Sequence, residues 1–201
     1  MKSKKVFFVT ATNTDVGKTF ACIRLLRKFT KKGYKVGYFK PIETGVQDEP
    51  HDGAKLLEVA KSLNPLFDFS ISDIVPYQFK LAAAPFVAKE NTTIDLNFLI
   101  SKKEQLLEKC DVLFIEGAGG LMVPIEDDFF MIDLISLFKA KAILISPSNL
   151  GSINDTLLSM QALSNANIKY KWYINLFKDK EDFEKITLPY YLAKFKKVRY
   201  L

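Results

Sequence analysis

Five residues set the chemistry this sequence could do. Lys18 and Thr19 close the stretch Thr12-Asn13-Thr14-Asp15-Val16-Gly17-Lys18-Thr19. It follows an apolar run, Lys5–Thr10, and opens a helix-like segment, Phe20–Phe29. Gly-Lys-Thr in that setting marks a phosphate-binding loop, in which backbone N–H groups and a helix N-terminus make a positive pocket. Lys18 adds a point charge, and the Thr19 hydroxyl can hold Mg²⁺. Thr12 stands where the usual pattern has its first glycine. Glu116 ends the apolar run from Asp111 and leads into Gly117-Ala118-Gly119-Gly120. A carboxylate there suits a Mg²⁺–nucleotide site, because Mg²⁺ takes one or two carboxylates beside phosphate oxygens. The glycines let backbone approach a ligand closely. Lys40 precedes Pro41 at a strand end. Read alone, it is equally a solvated lysine or a cation for anionic intermediates. Asp52 alone reads as a helix N-cap.

Weaker signals surround these five. Thr44 and Gly45 offer a small anion or hydroxyl contact. Gly151-Ser152-Ile153-Asn154 introduces a helix, whose start is an ordinary cap or a carboxylate site. Asn175 could read a nucleotide base, although the guanine-reading Asn-Lys-x-Asp is absent because Leu176 follows it.

Alternating elements must position these groups. Extended segments are expected at Val6–Thr10, Val36–Lys40, Ile74–Phe79, Val112–Ile115, Ala142–Ser146 and Trp172–Leu176. Helices are expected at Gly17–Lys32, Asp52–Leu63, Leu96–Lys109, Phe129–Phe138 and Ile153–Ala166, with a short one at Asp182–Ile186. His51 falls in a polar loop. Repeated strand–helix units imply an α/β fold with a mainly parallel sheet and helices on both faces. Ligands of such sheets bind beyond the carboxyl ends of the strands, and polar or glycine-rich chemistry follows nearly every predicted strand here.

Composition narrows the choice. The chain has 201 residues, 48% of them hydrophobic, which is enough for one α/β domain over 1–201. Net charge is +6, carried mostly by scattered lysines, with arginine only at Arg24, Arg27 and Arg199. Arginine is the preferred reader of bases and phosphates, so no nucleic-acid partner is expected and anionic small substrates are. Cys22 and Cys110 are expected as buried free thiols. One histidine, His51, leaves neither a Cys/His zinc site nor a Ser-His-Asp triad in prospect. No export signal or membrane span is evident, so a cytoplasmic protein is expected.

Together these residues resemble the dethiobiotin synthetase family, ATP-dependent carboxylases of biotin synthesis in the P-loop NTPase superfamily. The loop Thr12–Thr19 is similar to the family's Thr-Asp-Thr-Glu-Val-Gly-Lys-Thr, so Thr12 is a family trait. Lys40-Pro-Ile-Glu-Thr-Gly45 resembles its Lys-Pro-x-x-Ser/Thr-Gly. Glu116-Gly-Ala-Gly-Gly resembles its glycine segment, and Leu150-Gly-Ser-Ile-Asn154 its Leu-Gly-x-Ile-Asn. Tyr77-x-Phe79 and Ala84-Pro85 match a weaker segment. Ala11, Asp15 and Phe86 depart from the usual glycine, glutamate and histidine, and the family's late Gly-x-x-Pro is reduced to Ile186-Thr-Leu-Pro189.

The resemblance implies 7,8-diaminononanoate, CO₂ or bicarbonate and ATP as substrates, with Mg²⁺ as cofactor. Lys18 and Lys40 are then the catalytic cations. Asn13, Thr14, Asp15, Val16, Gly17, Lys18, Thr19, Glu116 and Asn175 bind nucleotide, and Thr19, Asp52 and Glu116 hold the metal. Thr14, Asp15, Lys40, Thr44 and Gly119 meet the diamine or its carbamate. Asn154 does so from the second subunit of a homodimer with a shared site. The competing reading is a chromosome-partitioning type of ATPase that switches by nucleotide-driven dimerisation. Those proteins carry an extra lysine near the start of the loop, where this chain has Thr12-Asn13-Thr14.

Overall fold

A computed structural model describes residues 4–177 and 180–201. Strand β1 (Lys5–Ala11) runs through the phosphate loop into helix α1 (Lys18–Thr30). Next come β2 (Val36–Phe39), β3 (Ile42–Thr44), α2 (His51–Leu63), α3 (Ile71–Ile74), β4 (Tyr77–Phe79), α4 (Pro85–Ala88) and α5 (Leu96–Glu108). Then follow β5 (Val112–Gly120), the hairpin β6 (Pro124–Glu126) and β7 (Phe129–Phe130), and α6 (Met131–Leu137). The chain continues with β8 (Lys141–Pro147), α7 (Ser152–Asn165), β9 (Tyr170–Asn175), α8 (Lys180–Asp182), a π-helical turn at Phe183–Thr187, and α9 (Leu188–Lys194).

Five strands form the central sheet in the order β2-β5-β1-β8-β9, every neighbouring pair parallel. Alternate side chains of a strand take opposite faces, and consecutive phenylalanines of β1 show where the helices lie. Phe7 meets Phe29 of α1 and Phe114 of β5, each with ring centroids 5.5 Å apart. Phe8 turns the other way, where it and Met131 of α6 crowd Gly117. Helices therefore cover both faces, as the alternation of elements predicts. The strand interiors Phe8–Val9, Val112–Ile115 and Ala142–Ile145 are buried, the mark of parallel strands covered on each side.

Several boundaries differ from the sequence reading. β5 runs on through its glycines to Gly120, because Gly120 pairs with Ala11 after a register shift in β1. A β-carbon at Gly120 would stand 3.1 Å from the Thr12 carbonyl oxygen, so glycine lets the two backbones approach without either having to shift. The predicted helix at Phe129 starts at Met131, since Phe129 and Phe130 pair with β6 and the Phe130 N–H donates to Asp133 Oδ2 at 2.8 Å. Ile74–Phe79 divides into the end of α3 and the short β4, which pairs with β3 outside the main sheet. His51 begins α2 instead of lying in a loop. The predicted helix at Asp182–Ile186 is largely the π-helical turn. Beyond it α9 docks through Tyr191, whose ring centroid is 4.8 Å from that of Trp172. Cys22 and Cys110 are buried and free, as expected.

Candidate active site

The carboxyl ends of β1, β2 and β5 open on one cleft of about 450 Å³. Gly17, at φ +96°, turns the loop in the left-handed region and caps α1, whose first residues are Lys18 and Thr19. The phosphate loop therefore presents its charge at a helix N-terminus. Thr14, Asp15, Lys18 and Thr19 line the cleft from this side. Lys40, Thr44 and Asp52 line it from the β2–β3–α2 side, and Glu116 and Gly119 from β5. Ten residues predicted from sequence, Gly17 included, thus share one wall of space.

Glu116 is the electrostatic centre. It is fully buried; Thr19, Lys40 and Tyr38 donate to it, and the buried Cys22 thiol of α1 lies against it as well. Thr19 Oγ1 and Lys40 Nζ both reach its Oε1 at 3.1 Å, and the Tyr38 hydroxyl reaches Oε2 at 3.0 Å. Lys40 Nζ also lies 3.5 Å from Asp52 Oδ2. Burial by itself would lower the Lys40 ammonium's pKa, but Glu116, Asp52 and Glu43 outweigh it and hold the group charged well above a lysine's usual range. Lys18 has the opposite balance. Burial dominates, and with the repulsion of Lys40 lowers its pKa despite Glu116. Its Nζ donates to the Asn13 carbonyl at 3.3 Å. A buried ammonium with so slight a partner is suited to an incoming anion.

Asp52 sits one residue inside α2, not at the cap, and a different carboxylate caps the helix. Glu43 of β3 accepts from the Asp52 and Gly53 N–H groups, both at 3.0 Å. Gly53 has no room for a side chain, since a β-carbon would come within 2.3 Å of Val75. Burial raises the Glu43 pKa, against the pull of Lys40 and the two N–H donors. Sequence reasoning missed Glu43 and Tyr38. Glu43 stands inside Lys40-Pro-Ile-Glu-Thr-Gly45, where a buried carboxylate between two cleft residues was the available signal. Tyr38 reads as one more apolar strand residue.

The remaining predicted residues lie elsewhere. Val16 and Asn175 line a separate depression of about 310 Å³ with Asp15, Pro147 and Asn149. The Asn175 amide donates to the Val16 carbonyl at 2.9 Å, so this residue also holds the loop. Asn13 accepts from the Thr14 N–H through Oδ1 at 2.8 Å. Asn154 is exposed, donates to Asp155 at 3.2 Å and lines neither space within the chain.

The donor set around Glu116 fits a hard cation. Thr19, Asp52 and Glu116 offer oxygen only, which is what Mg²⁺ takes. The Lys40 ammonium already bridges the two carboxylates, so the position between them favours positive charge. Among the described residues no group of three or more His, Cys, Asp or Glu gathers to hold an ion. A metal here would depend on the hydroxyl, water and ligand oxygens as well.

A parallel sheet whose first strand feeds a glycine-lysine-threonine loop, with a buried acid on the adjacent strand, defines a P-loop NTPase. The family model described as AAA domain matches residues 5–187. Two solved structures share the fold. A putative plasmid partition protein of Borrelia burgdorferi bound to AMPPNP covers 99% of this chain and 86% of its own, at TM-score 0.61 and 15% identity. The MinC:MinD cell division complex of Aquifex aeolicus covers 98% and 79%, at TM-score 0.58 and 18% identity. Within that class the chain belongs to the ATP-dependent dethiobiotin synthetases. It is 49% identical to that enzyme of a Sulfurovum species over 94% of this chain and 90% of the relative. For Helicobacter pylori strain Shi470 the figures are 38%, over 92% and 87%, and for Wolinella succinogenes 36%, over 93% and 88%. No helix among the described residues is long and apolar enough to cross a membrane.

Proposed function

We propose that this chain forms dethiobiotin from 7,8-diaminononanoate, CO₂ and ATP, with release of ADP and phosphate. One observation carries the reading beyond family membership. Two buried ammonium groups, Lys18 and Lys40, and an oxygen donor set, Thr19, Asp52 and Glu116, converge on one cleft. No histidine takes part, and the chemistry does not need one. It rests on positioning and charge stabilisation.

One amine of the substrate takes up CO₂ to give a carbamate. A carbamate oxygen attacks the γ-phosphorus, ADP departs, and a carbamic–phosphoric anhydride remains. The second amine then attacks the carbonyl carbon, closing the cyclic urea and expelling phosphate. Lys18 would lie against the phosphates, and Lys40 would stabilise the carbamate and the transferring group, as phosphoryl transfer requires. Mg²⁺, held by Thr19, Asp52 and Glu116, supplies neutralisation of phosphate charge when bound. Thr14, Asp15, Thr44 and Gly119 contact the diamine or carbamate, and the loop from Asn13 to Thr19 cradles the nucleotide. Asn175 and the depression beside Val16 take the base. Asn154 would contact the substrate carboxylate from a second copy of the chain. That assigns its exposure to a homodimer with a shared site. The chain acts as one domain over 1–201, in the cytoplasm.

ADP release is expected to rise well above the ATP-only rate when diaminononanoate and bicarbonate are present together. An unchanged rate overturns the proposal. ATP-driven dimerisation without substrate turnover would instead place the chain with the partitioning-type switches.

A further inference from the structure

The Glu116 carboxylate has two oxygens with different surroundings. Oε1 faces the cleft and accepts from Thr19 and Lys40. Oε2 faces inward and accepts from the Tyr38 hydroxyl. Tyr38 lies on β2 opposite Phe114, two residues before Glu116 on the neighbouring strand, so both side chains share the face covered by α1. The Tyr38 side chain is fully buried. A phenol hydroxyl in such a place is costly without a partner, and Glu116 is the partner it has.

We infer that Tyr38 is a positioning residue that fixes the orientation of Glu116 for the cation and nucleotide; the inference rests on the metal role proposed for Glu116. Thr19 and Lys40 cannot do this during turnover, and the thiol of Cys22 is a far weaker donor than a phenol. Thr19 is proposed to turn its oxygen to the metal, and Lys40 its ammonium to carbamate and phosphate. Both then loosen their hold on Oε1. Tyr38 approaches from below, lies behind Glu116 outside the lining of the cleft, and is placed to keep its hydrogen bond throughout. With Oε2 tied down, only Oε1 is offered to the cleft, which makes Glu116 a one-oxygen donor of fixed direction. Partners that orient a ligating group in this way typically change metal affinity by about 10- to 100-fold when removed.

Tyr38→Phe removes one oxygen and leaves the ring packing in place. ATP affinity, measured by calorimetry with Mg²⁺ and again with chelator, separates the roles. In the variant, the gain in affinity that Mg²⁺ confers should shrink by about tenfold, while metal-free ATP affinity stays at the wild-type value. A thermal melt should show the variant folded. In a Glu116→Gln background the same change should have no further effect on the Mg²⁺ gain. A full Mg²⁺ gain in Tyr38→Phe overturns the inference, and so does an equal loss with and without metal. If the wild-type protein itself gains nothing from Mg²⁺, the metal role proposed for Glu116 falls and the positioning role falls with it.

Discussion

The two flanks of the phosphate loop are built differently. On the β5 side Glu116 is fully buried and accepts hydrogen bonds from Thr19, Tyr38 and Lys40, and α2 is anchored through both Glu43 oxygens. On the β9 side the Asn175 amide holds the loop by the Val16 carbonyl. The depression there opens past Pro147 and Asn149 towards Phe177, which is 78% exposed. The first flank holds its charges in place before any ligand arrives, so little reorganisation remains for the reaction. The second, lined by Asp15, Ser148, Asn149 and Asn175 beside Val16, Pro147 and Phe177, opens to solvent. Phosphate and metal chemistry should therefore be unforgiving of change, and base recognition tolerant of it.

The largest test of that contrast is Lys18→Ala. It removes the buried cation proposed to lie against the phosphates, and steady-state turnover should fall by roughly 10² or more. Wild-type turnover would show that the β5 side does not need it. The same lysine gives a pH test. Its lowered pKa means that ATP affinity should begin to fall on the alkaline side before pH 10.5, the ordinary lysine value. In Lys18→Arg the affinity should stay flat there, because arginine remains charged.

Gly17→Ala links the two flanks. A β-carbon would lie 2.3 Å from the Asn175 amide nitrogen, on a residue at φ +96°. Strain of about 2 kcal/mol and a displaced loop should cost ATP affinity at least about tenfold, since 1.4 kcal/mol is a factor of ten. Adding Asn175→Ala relieves the clash but not the dihedral, so recovery should be partial. Full recovery would locate the whole defect at the β9 side.

Glu43→Ala leaves the Asp52 and Gly53 N–H groups without their acceptor. It should lower stability by about 2 kcal/mol in chemical denaturation, and turnover should drop with it as Asp52 shifts. A loss of stability with normal turnover would separate the helix anchor from the site. Asn175→Ala alone should weaken ATP by less than about tenfold, because one hydrogen bond is worth about 1 kcal/mol.

The smallest effect lies away from both flanks. The Lys102 hydrogen bond, followed by that from Ser70, lowers the Asp73 pKa to about 2. A depressed carboxylate stabilises the fold above its unfolded pKa and loses that contribution as pH falls through the folded one. With partial exposure, about 1 kcal/mol should disappear between about pH 4 and pH 2. Asp73→Asn should lack that step in an acid denaturation series.

Much of the β5 flank was legible because its residues sit in contiguous patterns at strand ends. Gly17-Lys18-Thr19 and Glu116-Gly117 each announce themselves within a few residues, whereas Lys40-Pro41, read alone, was equally a solvated lysine and took its meaning from the family resemblance. Tyr38 and Glu43 do not announce themselves, since their meaning depends on partners elsewhere in the fold. Tyr38 meets Glu116 across 78 residues, and Glu43 acts on backbone groups that carry no residue identity. The continuation of β5 through glycines was hidden for a related reason. Glycine weakens a strand locally, and here the close approach of Thr12 favours it. The β9 flank offered least. Asn175 alone marked it, and its bond to Val16 spans 159 residues.

The strand order β2-β5-β1-β8-β9 carries one more consequence, in the kinetics of folding. β5 lies between β1 and β2, so Glu116 cannot meet Thr19 or Lys40 until pairings more than 70 residues apart have closed. Such non-local parallel pairings form slowly. Competence to hold ATP should therefore appear late, together with global folding. Since a ligand that binds only the folded chain stabilises it by RT ln(1 + L/Kd), with L its free concentration, ATP should act as a latch on the last assembly step, and its removal should be felt first as faster unfolding.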